Sequence, residues 1–368
     1  MKIGIDARLI EETGVGRYIR NLIEQLGELD KRNSYVCFLP KHAFGPFHLA
    51  NNRWEKRLAD VPWHSVSEQI MMPLILLREK LDLVHIPYFN IPILYPGKIV
   101  VTIHDLTILH FHTGRATTLP KFLYQMRRFG YWLVHRIGLP RAKSIVAVSN
   151  ATKQEIIDHF RIDAEKIRVT YEGVDSKIYK SANDKSTNKK PIVPEPYFLY
   201  VGNAYPHKNL ETLVQAFQPK DTRLVLVGKD DYFYQRLKKE VGQLGLRHGV
   251  IFFGQANDAE LANLYSHAIA LVFPSMMEGF GLPGLEALAN GCQVIASDIP
   301  VFHEIFGKSV SYVDPYRAES LLEKLTQAER GALPKPAPRE VDFLLEQFSW
   351  ETMAKKTLDV YEGTARRL

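Results

Sequence analysis

The chain has 368 residues, 46% hydrophobic and 24% charged, which suits two globular domains and excludes a collagen-like or disordered chain. Its net charge is +6, and its two cysteines, Cys37 and Cys292, are too far apart to suggest a disulfide framework or a zinc site. With no signal peptide after Met1 and no run of about 20 apolar residues, a cytoplasmic protein is expected.

Short apolar runs alternate with helical patterns in the first half, which predicts a parallel sheet with helices on both faces. Strands are predicted at 2–5, 35–39, 83–86, 99–103 and 144–148, and helices at 16–29, 122–137 and 149–160, the last with Ser149 as N-cap. Residues 177–196 are polar and proline-rich, which indicates an exposed linker.

The alternation restarts after this linker and predicts a second doubly wound unit. Strands are predicted at 197–201, 223–227, 250–253, 270–273, 294–296 and 311–313, with helices near 209–217, 231–244, 258–266 and 282–289 and a last helix at 350–366. The predicted class is therefore α/β, with one domain at 1–176 and another at 197–348.

The excess of positive charge is confined to the first half. Residues 1–175 contain 24 Lys and Arg against 18 Asp and Glu, whereas 176–368 contain 23 of each. The segment 106–154 has eight basic residues and no acidic one, interspersed with the aromatic residues Phe122, Tyr124, Phe129, Tyr131 and Trp132. This segment is a candidate for contact with an anionic membrane surface. A basic face without a partner, with its aromatic residues in the core, is the alternative, and no nucleic-acid partner is expected.

Two loops of the first half are candidates for ligand contact. Gly14-Val15-Gly16 precedes a helix, where glycines let backbone N–H groups approach an anion, although a tight turn explains them equally well. It is not a dinucleotide fingerprint, because Ile19 occupies the third glycine position. His104 and Asp105 follow a predicted strand, at the end where open α/β sheets bind ligands. A buried polar pair is the alternative.

The second half contains the strongest motif. Gly202 and Asn203 follow a predicted strand, and Lys208 stands near a helix start, which suits a phosphate group unless it is a simple surface lysine. Residues 278–286 read Glu-Gly-Phe-Gly-Leu-Pro-Gly-Leu-Glu, so three glycines open a loop between two carboxylates. Backbone N–H groups beside carboxylates predict a site for phosphate and sugar hydroxyls together.

Together these motifs resemble the retaining glycosyltransferases of family 4, whose GT-B fold has two doubly wound Rossmann-like domains facing across a cleft. The resemblance covers nearly the whole chain and includes 101–105, 147–149, 172–175 and the E-x7-E motif at 278–286. It implies that 197–348 bind a nucleotide-sugar donor and 1–176 bind the acceptor. It also implies that the C-terminal helix, about 349–368, packs back on the first domain.

The resemblance also assigns roles to individual residues. His104 and Glu278 would face the transferred sugar, Glu286 would hold the ribose, and Lys208 would hold the diphosphate. Further contacts with the donor are expected from Gly16, Gly202, Gly279, Phe280, Gly281 and Leu282. Asp105 is a further candidate, as is Asn203, which stands where many relatives have an arginine.

The reaction implied is transfer of a hexose, with retention, to a glycan or lipid-linked acceptor, by a protein that is cytoplasmic or peripheral at the inner membrane face. The segment Gly202–Asn209 is most similar to bacterial mannosyl-transferring members, which favours GDP-mannose. No cofactor and no metal are expected, because Lys208 and helix-end N–H groups suit the leaving diphosphate and no Asp-x-Asp triplet is present. The alternatives are UDP-glucose or UDP-N-acetylglucosamine as donor, or a non-catalytic sugar-nucleotide-binding protein. A dinucleotide oxidoreductase, a solute-binding protein and a phosphorylase are more distant rivals.

Overall fold

A computed structural model describes residues 1–110, 121–174, 190–218 and 221–366. Among these residues the chain forms two compact units. Unit one contains 1–106, 121–172 and 350–366, and unit two contains 107–110, 173–174, 190–218 and 221–349. The predicted linker, 177–196, lies mostly outside the described residues.

In its described part, unit one contains a seven-stranded parallel sheet. Its strands are β1 (Lys2–Asp6), β2 (Ser34–Leu39), β3 (Trp54–Leu58), β4 (Leu83–Ile86), β5 (Ile99–Ile103), β6 (Ser144–Ala147) and β7 (Ile167–Val169). They lie in the order β3-β2-β1-β4-β5-β6-β7, so the order reverses between β1 and β4. Ligands of open α/β sheets bind at the carboxyl edge of such a switch point.

Helices cover both faces of this sheet. They are α1 (Gly14–Leu29), α2 (Lys41–Phe44), α3 (Glu68–Arg78), α5 (Lys121–Arg141) and α6 (Asn150–Phe160), whereas α4 (Thr107–His110) is grouped with unit two. Helix α1 buries Tyr18, Ile19, Leu22 and Leu26 along one stripe, as its apolar period predicts. Ser149 caps α6 by accepting a hydrogen bond from the backbone N–H of Thr152.

Unit two also contains a parallel sheet, which has six strands in its described residues. They are β8 (Tyr197–Val201), β9 (Arg223–Val227), β10 (Val250–Gly254), β11 (Ala270–Phe273), β12 (Gln293–Ser297) and β13 (Ser311–Val313), in the order β10-β9-β8-β11-β12-β13. The helices are α7 (Leu210–Ala216), α8 (Tyr232–Gln243), α9 (Asp258–His267), α10 (Leu282–Ala289), α11 (Pro300–Phe306), α12 (Ala318–Glu329) and α13 (Pro338–Gln347). Its switch point lies between β8 and β11. The predicted α/β class with two doubly wound units is confirmed.

The last helix, α14 (Trp350–Arg366), packs within unit one against α1. Tyr361 is fully buried, and its hydroxyl lies 2.6 Å from Nδ1 of His85 in β4. The hydroxyl of Thr364 hydrogen-bonds Ser144 of β6 at 2.8 Å. Residues from the far end of the chain thus satisfy buried polar groups of the first sheet.

The sequence did not predict β3, β7, α2–α4, α11 or α12, and the helix predicted for α1 begins two residues after the observed one. Strands β3 and β7 are the two edge strands of their sheet, and both carry charged residues. Such charges prevent an edge strand from pairing with another chain, but they also weaken the apolar pattern by which a strand is predicted. Helix α3 has apolar residues all round, so its pattern has little helical period.

Candidate functional site

Lys208 and Glu278 meet at the switch point of unit two. Lys208 ends a short 3-10 turn, Pro206–Lys208, which follows β8, and Glu278 lies in the loop after β11. Lys208 Nζ donates to Glu278 Oε1 at 2.5 Å, and Ser275 Oγ donates to the same oxygen at 2.8 Å. The side chains of the ion pair are only 16% and 12% exposed. Two predicted residues, 70 positions apart, are thereby brought together.

This ion pair determines how an anion can bind. Lys208 and Glu278 cancel each other's charge, so a phosphate that uses Lys208 must separate it from the carboxylate. Both donors reach Oε1, and no described residue donates to Oε2 of Glu278. One carboxylate oxygen is therefore left for a hydroxyl donor such as a sugar.

The glycine-rich loop after Glu278 leads directly into α10. Gly281 has φ +122°, in the left-handed region that favours glycine, and no side chain caps the helix. A Cβ on Gly284 would lie 2.4 Å from Cζ of Phe306, so this glycine is needed for close packing. The Phe280 ring is buried edge-on against Phe348 at 5.5 Å, so Phe280 can offer a ligand only its backbone. Leu282 is the first residue of α10.

Glu286 lies one turn into α10 and is almost fully buried. Its Oε2 accepts a hydrogen bond from the hydroxyl of Tyr265 in α9, at 3.1 Å. Sequence reasoning missed Tyr265 and Ser275, because neither forms part of a recognisable spacing.

Gly202 and Asn203 shape the turn after β8. Gly202 has φ +151°, its N–H donates to Val227, and its carbonyl accepts from the Tyr234 hydroxyl at 2.8 Å. Asn203 Oδ1 accepts from the backbone N–H of Tyr205, so this side chain stabilises its own turn. Both residues lie at the carboxyl edge of β8, on the same edge as Lys208.

In unit one, His104 is held by two acceptors at the end of β5. Its Nδ1 lies 2.7 Å from Glu172 Oε1, and its Nε2 lies 3.0 Å from the carbonyl of Pro87. Burial alone would lower the pKa of His104, but the hydrogen bond and charge of Glu172 outweigh it and raise the pKa above 6.5. Two acceptors suit an imidazolium. Contact of a ring nitrogen with a sugar would require exchange of one of them.

The other predicted residues of unit one have structural explanations of their own. A Cβ on Gly16 would lie 2.5 Å from the carbonyl oxygen of Ile10, so this glycine allows α1 to pack on the preceding turn. Asp105 follows His104 directly. Burial, followed by the charges of Asp105 and Asp158, raises the pKa of Glu155 in α6 to about 7.

A buried ionic group that the sequence did not reveal lies at the switch point of unit one. Arg8 donates to Asp6 Oδ2 and to Glu68 Oε1, each at 2.6 Å. Beside it is a cavity of about 10 Å³, room for one water, which Asp6, Arg8, Tyr88 and Asn90 help to line. The Oδ1 atom of Asn90 is buried without a partner. A water or a ligand hydroxyl there would satisfy it.

Within 1–110, 121–174, 190–218 and 221–366, no three His, Cys, Asp or Glu residues are grouped so that they could hold a metal ion. Over the same ranges no helix has the length and apolar character needed to cross a bilayer.

Comparison with known proteins identifies two matching families and several relatives. Residues 13–177 match the model of Glycosyltransferase Family 4, and 182–339 match that of Glycosyl transferases group 1. The O-antigen chain mannosyltransferase B of Escherichia coli is 30% identical over 307 residues, covering 78% of this chain and 76% of that protein. The O-antigen chain mannosyltransferase RfbU of Salmonella typhimurium is 28% identical over 316 residues, covering 82% and 83%.

Solved structures show the same fold. Sucrose-phosphate synthase from Thermosynechococcus elongatus superposes with a TM-score of 0.78 at 21% identity, over 99% of this chain and 98% of that one. The Anabaena protein HepE, solved with UDP-glucose, gives a TM-score of 0.75 at 16% identity, over 99% and 100%. The predicted GT-B type of fold is confirmed.

Proposed function

Because this chain belongs to the family 4 glycosyltransferases, we propose that it transfers mannose from GDP-mannose to a lipid-linked glycan, with retention of configuration. The sugar is inferred from the relatives at 28–30% identity, which are named as O-antigen chain mannosyltransferases. A role in the synthesis of a bacterial surface polysaccharide follows from the same relatives. UDP-glucose and UDP-N-acetylglucosamine are the competing donors.

One observation supports the donor site above all others: Lys208, Ser275 and Glu278 converge at the switch point of unit two. In the proposal, the diphosphate takes Lys208 away from Glu278, and the open N-terminus of α10 contributes N–H groups. The released carboxylate of Glu278 then accepts hydrogen bonds from the sugar. Glu286 accepts those of the ribose hydroxyls, and backbone groups of Gly202 and of 279–282 complete the contacts.

The chemistry follows from where charge develops. The bond between the anomeric carbon and the phosphate oxygen breaks, and GDP leaves with the electron pair. Lys208 and the helix N–H groups stabilise the growing negative charge on the phosphate. The acceptor hydroxyl forms the new bond on the same face of the sugar. Its proton passes to the departing phosphate oxygen, which lies beside it on that face.

Unit one is the proposed acceptor side. His104, held as an imidazolium by Glu172 and Pro87, would exchange the Pro87 carbonyl for a hydroxyl of the transferred sugar. Asp105 follows at the same strand end. Gly16 would approach the phosphates through its backbone at the start of α1.

No metal enters this proposal, because a lysine and helix N–H groups supply the positive potential. Turnover should persist in excess EDTA. Loss of turnover that magnesium or manganese restores would contradict this part of the proposal.

A lipid-linked acceptor also implies a membrane surface. The basic segment 106–154 would contact its anionic headgroups, as expected of a protein that is peripheral at the inner face of the membrane.

The proposal is tested with a panel of donors. The protein is mixed with GDP-mannose, UDP-glucose or UDP-N-acetylglucosamine, and thermal shift and nucleotide release are measured with a lipid-linked acceptor. We expect a shift and release with GDP-mannose and an unchanged anomeric configuration in the product by NMR. Preference for a UDP-sugar would contradict the donor, and binding without release would favour a non-catalytic sugar-nucleotide-binding protein.

A further inference from the structure

Unit one carries an exposed apolar surface that the proposed transfer chemistry does not use. Of the twenty large apolar side chains exposed among the described residues, thirteen lie between Trp63 and Ile137. Eleven of these belong to α3, the loop after β4 and α5, and ten of the eleven, all but Trp132, are considered together. We call them the α3–α5 surface: Ile70, Met71, Leu74, Leu77, Leu94, Phe122, Met126, Phe129, Leu133 and Ile137. Such a concentration of exposed apolar side chains marks an interaction site.

The spacing on α5 places its five members on one stripe of the helix. Phe122, Met126, Phe129, Leu133 and Ile137 recur every three or four residues, and Phe122 and Phe129 are 70% and 62% exposed. The α5 helix is therefore apolar on a face that no described part of the protein covers.

The opposite face of α5 is the one that packs into unit one. Tyr131 and His135 are buried there, with Phe89 at 4.8 and 5.4 Å between ring centroids. Among the aromatic residues noted in segment 106–154, Tyr131 is thus a core residue. Phe122, Phe129 and Trp132 are exposed, and the side chain of Tyr124 lies outside the described residues.

Helices α3 and α5 both contact the loop after β4. Gln69 of α3 donates to the carbonyl of Ile91 at 3.2 Å and accepts from the N–H of Ile93 at 2.9 Å. Ile91 also packs on α5, where a Cβ on Gly138 would lie 2.8 Å from its methyl group. Leu94, 61% exposed, belongs to this loop. The loop that bears Leu94 thus links the two helices that carry the other exposed apolar side chains.

Charge identifies the partner of this surface. The sequence has no Asp or Glu in 69–78, 91–98 or 121–141, whereas Arg78, Arg136 and Arg141 are exposed at its borders. Two copies of such a surface would repel each other, which disfavours a dimer. An apolar face with basic borders complements an anionic bilayer, where apolar side chains enter the acyl boundary and cations meet the headgroups.

We propose that the α3–α5 surface docks on an anionic lipid bilayer, with α5 and α3 lying in the plane of the interface. This inference rests on the membrane contact proposed above and extends it to α3 and Leu94. Binding would then depend on insertion of apolar side chains into the bilayer as well as on charge. Unit one would then meet a lipid-linked acceptor at the membrane surface.

Cosedimentation of the full chain with vesicles tests the proposal. The vesicles contain phosphatidylcholine with or without phosphatidylglycerol, at low and high salt. We expect binding to the anionic vesicles, lowered about tenfold or more by Phe122→Ser/Phe129→Ser and also by Ile70→Ser/Leu74→Ser. Arg136→Gln should lower it about fivefold. The control Phe343→Ser, at an exposed apolar residue of α13, should bind like the wild type.

Three results would overturn the proposal. The first is that the wild type does not bind the anionic vesicles, and the second is that both Ser double variants bind them as the wild type does. The third is that sedimentation velocity shows a dimer, which Phe122→Ser/Phe129→Ser dissociates. The thermal shift with GDP-mannose is recorded on every variant without vesicles. Intact donor binding with no vesicle binding rejects this inference alone, whereas vesicle binding without any donor binding rejects the proposed function alone.

Discussion

Replacing Glu278 by Gln should tighten the binding of GDP while it slows the transfer. Lys208 is held by Glu278 at 2.5 Å, and the diphosphate must take it away. Gln keeps an oxygen that can accept from Ser275 but carries no charge to retain the lysine. A hydrogen bond between charged groups is worth about 1.5–3 kcal/mol, so removing this competition should lower the Kd of GDP by about tenfold to a hundredfold.

The same substitution should lower kcat. The transferred sugar gains positive charge as its bond to the phosphate breaks, and a carboxylate matches that charge better in the transition state than in the ground state. Tighter product binding also slows the release of GDP. Both effects act in the same direction on kcat, whereas a purely structural role for Glu278 predicts weaker binding and a lower stability.

Isothermal titration with GDP, supported by urea unfolding to confirm the fold, measures the effect. Lys208→Met should weaken GDP binding, and the double variant Lys208→Met/Glu278→Gln should show none of the tightening. Ser275→Ala, which removes the other donor to Oε1 and keeps the ion pair, should bind GDP within about threefold of the wild type. GDP affinity that is unchanged or weaker in Glu278→Gln would refute the reasoning, as would tightening that persists without Lys208.

The remaining predictions concern packing, pH and the ribose. Gly16→Ala should lower the free energy of unfolding in urea by about 1–3 kcal/mol, because the new Cβ meets a backbone carbonyl that cannot move aside. The control Gly14→Ala should not destabilise the protein, since a Cβ at Gly14 has nothing within 4 Å. Equal effects of the two substitutions would contradict this reasoning. Because the pKa of His104 is raised, its pair with Glu172 stabilises the folded protein fully below pH 6.5. This stabilisation is lost as the pH rises through the raised pKa. The difference in stability between wild type and Glu172→Gln should therefore shrink at alkaline pH, and a constant difference would refute it. Glu286→Ala should raise the donor KM about tenfold to a hundredfold with a smaller effect on kcat, because ribose is bound alike in ground and transition states; an unchanged KM would remove Glu286 from the site.

Local pattern was sufficient to predict the buried strands and to place the motif residues at strand ends. The run Ile99–Ile103 is buried at all five positions, so its composition alone predicts a strand covered on both faces. The last helix, Trp350–Arg366, shows its apolar stripe in sequence, and its bounds were predicted as observed. Glu278 and Lys208 could be predicted as site residues because each follows a recognisable buried strand.

Their pairing could not be predicted, since it depends on β8 and β11 being neighbours in the sheet. Strand order is a tertiary property that no local spacing contains. The same holds for Glu172, whose hydrogen bond to His104 spans 68 positions. On α5, composition identified the aromatic residues, but only packing separates the core residue Tyr131 from the exposed Phe129.

The return of α14 to unit one has a consequence for synthesis on the ribosome. The buried hydroxyls of Tyr361 and Thr364 complete the polar network of the first sheet, yet they are translated after residues 173–349, which belong to unit two. At about 5–20 residues per second this interval is on the order of ten to thirty seconds. The N-terminal unit is therefore begun first but completed only after unit two, and Nδ1 of His85 in its β4–β6 region lacks its Tyr361 partner until α14 is translated. Slow codons or early stops in the second half of the gene would consequently act on the folding of the first half of the protein.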